Sequence, residues 1–77
     1  MRIKANYRKG QQVRITSDND SYAGYMNEVL VISGVFRSVK EHPGFDESCG
    51  QALYEFKVKS TGEVLPFALY EYEFEEV

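Results

Sequence analysis

His42, Asp46, Glu47 and Cys49 fall within the eight residues of HPGFDESC. These residue types can hold a metal or run nucleophile–base chemistry. A structural zinc site takes four ligands, commonly in closely spaced Cys or His pairs. HPGFDESC offers one His and one Cys and no such pair. Cys49 as a nucleophile would need His42 as its base, a third group to orient the base, and a concave pocket with an oxyanion site. A chain of 77 residues buries only about 60% of its unfolded surface, and a barrel of that size fills its interior with side chains. The segment is therefore expected to be a polar loop, ordered by Pro43 and by packing of Phe45. No phosphate-cradling glycine motif occurs either. The chain is read as non-enzymatic, without a metal or other cofactor.

The elements around this loop point to an all-β chain. KG opens a strand, QQVRIT, in which Val13 and Ile15 turn inward and Arg14 outward. SDNDSYAGYMNE is polar and turn-forming, with Asp18, Asn19 and Asp20 suited to bond their own backbone. EVLVISGVFRSV follows, apolar on both parities over Val29 to Ile32, with Gly34 marking a bulge or corner. In LYEFKVK, Tyr54, Phe56 and Val58 alternate with Glu55, Lys57 and Lys59. STGE is a tight turn with Gly62 at positive φ. Pro66 lacks a ladder donor and marks a strand edge or end. FALYE then supplies one short 3₁₀ turn. In the closing LYEYEFEEV, Tyr70, Tyr72 and Phe74 fall on one face and Glu71, Glu73 and Glu75 on the other. No window of eleven residues carries helical apolar spacing. About five strongly bent antiparallel strands in one domain, residues 1–77, describe a small barrel.

Composition bounds the class. The chain is 43% hydrophobic with six Tyr and five Phe, which suits a folded domain. A single cysteine excludes an internal disulfide and points to a cytoplasmic protein. MRIKANYRKG has no apolar run after its basic residues, and the longest apolar stretch, Val29 to Ile32, is too short to insert in a membrane. The net charge of −3 weighs against nonspecific nucleic-acid binding. Residues 1–14 carry five basic and no acidic residues, and residues 60–77 carry five acidic and no basic ones. The two ends are expected to lie on adjacent strands and attract each other. The glutamate row then has Lys57, Lys59 or the basic N-terminal segment as partners.

KGQQVRITSDNDSYAGYMNEVLVI resembles the opening of SH3-like barrels of the KOW type. SYAGYMNEV, LYEFKVK and FALYEYEFEEV are also similar to the small SH3-like subunit of photosystem I and related electron-transport accessory proteins. The resemblance implies an SH3-like barrel with Val13, Ile15, Val29, Val31, Tyr54, Phe56 and Leu69 as barrel residues. It also implies an accessory subunit that docks another protein or a larger complex.

Two binding surfaces follow. Tyrosine brings apolar area and a polar handle to interfaces. The early loop and the turn before the last strand are expected to meet, giving a protein-binding patch of Tyr22, Tyr25, Asp18, Asp20, Tyr70 and Glu71. Tyr22 and Tyr25 are expected on the surface, and Tyr54, Phe56, Phe67 and Leu69 inside. The second reading is a KOW-like nucleic-acid-binding domain. It would use Arg2, Lys4, Tyr7, Arg8 and Lys9, where cations meet phosphates and the ring stacks on a base. Its ordinary counterpart is a Tyr7 packed on the barrel beside solvated basic heads.

Overall fold

The computed structural model describes residues 3–17 and 19–77. Its strands are β1 (Gln12–Ile15), β2 (Leu30–Phe36), β3 (Leu53–Val58), β4 (Leu69–Tyr70) and β5 (Phe74–Glu76). They form one antiparallel sheet in the order β4-β3-β2-β1-β5. The helical segments among the described residues are 3₁₀ turns at Asp20–Tyr25, Glu47–Cys49 and Glu71–Glu73. None of these is long and apolar enough to cross a membrane.

Connectivity forces the sheet to curl. β4 and β5 are its opposite edges, yet only the 3₁₀ turn Glu71–Glu73 separates them in the chain. Flat, four strand spacings of ~4.8 Å would hold those edges ~19 Å apart. Four residue steps at a 3₁₀ rise of ~2 Å cover only ~8 Å. The edges must therefore swing toward each other, which makes the sheet barrel-like without closing its ladder. β1 also lies beside β5, with Arg14 opposite Glu75, so the chain ends do share neighbouring strands.

The curl encloses Val13, Ile15, Leu30, Ile32, Ala52, Tyr54, Phe56, Val58, Leu65, Leu69 and Phe74. Val29 and Val31 were expected in this core and are only half-buried. The run Val29 to Ile32 gives neither parity an advantage. Its pairing decides, because Val13 sits opposite Leu30 and sends the even-numbered residues inward. Phe67 was also expected inside and is half-buried.

Two irregularities shape the curl. The β2–β3 register slips between Ile32 and Gly34, leaving Ser33 as the extra residue of a bulge. At the far end, Lys57 bridges Val64 and the Leu65 amide donates to the Phe56 carbonyl, 3.0 Å. Pro66 cannot continue that ladder. Pairing resumes with Leu69 opposite Tyr54, so two extra residues loop out between Leu65 and Leu69. The turn that starts this return has Gly62 at φ 77°, with its amide on the Val58 carbonyl at 2.7 Å.

The final strand departs from simple alternation. The 3₁₀ turn was expected over FALYE and instead occupies Glu71–Glu73. Its three-residue period breaks the two-residue period of LYEYEFEEV. Glu73 is buried and Tyr72 is exposed, so Glu71, Glu73 and Glu75 do not form one outward row.

Gly34 tests the bulge. A Cβ there would lie 3.0 Å from Phe36 Cζ, on a ring already packed against His42 at 4.9 Å. Gly34→Val should cost about 1–3 kcal/mol as overpacking. An unchanged urea midpoint would show that the corner tolerates a side chain.

Candidate functional site

The loop excluded by Pro66 carries Phe67 against the first 3₁₀ turn. The Tyr22 and Phe67 rings lie 4.6 Å apart, and Tyr25 meets Phe67 edge-on at 5.6 Å. The early loop and the turn before the last strand thus meet as expected. Both tyrosines are half-buried rather than free. The Tyr22 hydroxyl donates to Glu73 Oε2 at 2.9 Å and the Tyr25 hydroxyl to Glu63 Oε2 at 2.9 Å.

Tyr70 faces a different neighbour. Its ring packs on Phe45 at 6.1 Å and lies parallel to Tyr72, 6.4 Å away at 4°. Its hydroxyl oxygen accepts the Asp46 amide at 2.7 Å. Tyr72 is 66% exposed. The rings form a strip of two packed groups, Phe45–Tyr70–Tyr72 and Tyr22–Phe67–Tyr25, that meet at Glu73, which accepts the Tyr70 amide and the Tyr22 hydroxyl. Phe45 joins the segments expected here, and Phe67, expected inside, lies half-buried among these rings. Sequence alone groups Tyr72 with Tyr22, Tyr25 and Tyr70 as an interface tyrosine, although strict alternation puts it beside buried Phe74.

The acidic members of the expected patch have separate fates. Asp20 is exposed at the start of its 3₁₀ turn. Glu71 accepts the Tyr54 hydroxyl, the Asn6 amide at 3.0 Å and Asn6 Nδ2 at 2.8 Å. It fastens the N-terminal segment to the core. Asp18 lies outside the described residues, as does Arg2 of the basic set.

Glu73 is the buried polar residue of the core, 8% exposed. Its Oε1 accepts the Tyr70 amide at 3.0 Å while Oε2 accepts the Tyr22 hydroxyl. Its main-chain carbonyl accepts the Thr16 and Ser17 amides at 2.9 and 3.1 Å. Burial, then the Glu73 bond and charge, push Tyr22 up to about 12. The bond to Glu63 raises Tyr25. Burial and the Glu71 bond raise Tyr54 well above the ordinary phenol range. The Glu73 charge raises Tyr72.

The basic set disperses. Tyr7 packs edge-on against Tyr54 at 5.8 Å and against Phe74 at 5.0 Å, so its ring serves the core. Arg8 and Lys9 are exposed in the turn before β1. Lys4 joins Arg37, Ile3 and Ala5 around an open cleft of about 340 Å³. The expected attraction between the basic and acidic ends makes no ion pair within 4 Å among the described residues; neutral amide donors reach the carboxylates instead, such as Gln11 Nε2 to Glu76 Oε2 at 2.6 Å. Lys59 donates to Gln12 at 3.3 Å and not to a glutamate. Among the described residues the one ion pair within 4 Å is His42–Glu55, at 3.5 Å.

In HPGFDESC, His42 Nδ1 accepts the Gly44 amide at 3.0 Å. The Asp46 carboxylate caps the Glu47–Cys49 turn by accepting from Ser48, which lowers the Asp46 pKa. Phe45 is buried, as expected of an ordered loop. Among the described residues no three His, Cys, Asp or Glu side chains gather as a metal-ligand set. No family model, curated protein or solved structure matches this chain.

Two outcomes test the Tyr–Glu pairs. Glu73→Ala strands a phenol and an amide and should cost about 2–4 kcal/mol in urea unfolding. Glu63→Ala, at an exposed bond, should cost far less, and equal losses would deny Glu73 its anchoring role. The raised tyrosines also set an alkaline limit. Folding holds the Tyr22 proton more tightly than the unfolded chain, whose tyrosine ionises near 10.0. That contribution is intact below pH 10.0 and drains away toward about 12. The urea midpoint should fall across this window, and Tyr22→Phe should flatten the fall.

Proposed function

We propose that this chain is a non-enzymatic protein-interaction module on an SH3-like barrel, an accessory subunit that docks a larger complex through its aromatic strip. The observation that carries the reading is the strip itself. Five partly exposed rings, Tyr70 with Tyr72 and Tyr22 with Phe67 and Tyr25, flank Glu73, with buried Phe45 packed on Tyr70, and Tyr72 is 66% exposed. Interfaces favour such rings because they bury much area with few rotatable bonds. The strand order, the long loop after β1 and the 3₁₀ turn before β5 support the SH3-like reading. His42 favours binding over acid–base work, since Nδ1 is taken by the Gly44 amide and Nε2 faces Glu55.

One observation keeps the nucleic-acid reading as the second. Lys4 and Arg37 border one cleft, and neither makes an ion pair within 4 Å among the described residues. It stands behind the first because Tyr7, its stacking ring, is committed to the core.

The two readings separate by affinity capture from lysate of the source cells. A partner held by the native chain should be lost with Tyr72→Ala and kept with Lys57→Ala, an exposed β3 residue outside the ring contacts. Partners that ignore Tyr72→Ala would sink the aromatic reading. Retention on single-stranded RNA at low salt, reduced by Lys4→Ala, would favour the second.

A further inference from the structure

The strip has a charge environment that selects its occupant. Five of its six rings come from residues 16–29 and 60–77, which together hold Asp18, Asp20, Glu28, Glu63, Glu71, Glu73, Glu75 and Glu76 and no Lys or Arg. Several of these carboxylates bear directly on the rings. Glu73 and Glu63 accept the Tyr22 and Tyr25 hydroxyls, and the Glu73 charge acts on Tyr72. Accepting a phenol hydrogen bond leaves a carboxylate its full charge, because a phenol is far too weak an acid to give up its proton at neutral pH. No cation stands within 4 Å of these carboxylates among the described residues.

Resting on the docking reading above, we infer that the strip receives a cationic segment of a partner protein, with arginine side chains laid on the exposed Tyr72 ring. An uncharged apolar partner would strip water from exposed Glu63 and return nothing for it. An acidic partner, or a nucleic-acid backbone, would add repulsion to that loss. A guanidinium answers both demands. It stacks on the electron-rich face of a tyrosine, and its planar donors reach neighbouring carboxylates while losing less hydration than an ammonium. The acidic field also steers such a segment toward the strip before contact.

The test uses the whole chain and a blocked peptide of alternating Arg and Ser, followed by backbone amide NMR. The peptide should shift amides at Tyr22–Tyr25, Phe67 and Tyr70–Tyr72 saturably, and more weakly as salt rises. A Glu/Ser peptide should shift none of them. Tyr72→Ala should weaken the Arg/Ser peptide roughly tenfold, and Tyr72→Phe should restore it. Shifts spread equally to Glu41 and Glu55 would mark mere charge attraction and overturn the inference. So would an unchanged affinity in Tyr72→Ala. If the peptide leaves the strip untouched while a lysate partner still depends on Tyr72, the cationic occupant is wrong and the docking surface stands. If neither depends on Tyr72, both fall.

Discussion

Everything in this fold converges on Glu73. One buried carboxylate accepts a main-chain amide from β4 and a phenol from the early loop, while its own carbonyl holds two amides that continue β1. The three-residue turn that carries it joins opposite edges of the sheet. A charge buried without a cation is tolerated only where hydrogen bonds replace water, and here neutral donors do so from two directions. The same bonds that compensate the charge fix the curl and the loop.

Two further glutamates repeat the device at lower cost. Glu71 takes the Tyr54 phenol and ties down Asn6, and Glu63 takes Tyr25. Tyrosine suits this work because its ring packs while its hydroxyl reaches an acceptor. The acidic end of the chain is therefore partly structural. Its charges pin loops, and what remains of their field surrounds the one ring left open, Tyr72. On the proposed docking reading, architecture and recognition use the same residues.

The basic end follows another logic. It was expected to neutralise the acidic end, and strand order does bring β1 beside β5. Side-chain length and direction then send Lys59 to Gln12 and leave Arg14 without an ion pair within 4 Å among the described residues. Exposed pairs of that kind contribute only ~0–1 kcal/mol, too little to dictate geometry. Amide donors from Asn6 and Gln11 make the connections instead.

Local sequence determined what local physics governs. Alternation in QQVRI and LYEFKV placed Val13, Ile15, Tyr54 and Phe56 inside. Gly34 and Gly62 marked the bulge and the tight turn, and Pro66 the broken ladder. The meeting of the tyrosine loop with the last turn was legible only through the resemblance to SH3-like barrels. Tertiary structure alone decided where two local patterns were equally good. Val29 to Ile32 could face either way until β1 fixed the register. LYEYEFEEV could run straight as a strand, but the short link between two sheet edges required a turn inside it. That turn moved Glu73 into the core and Tyr72 out to the surface, because linking the two edges of the curled sheet outweighs two-residue alternation.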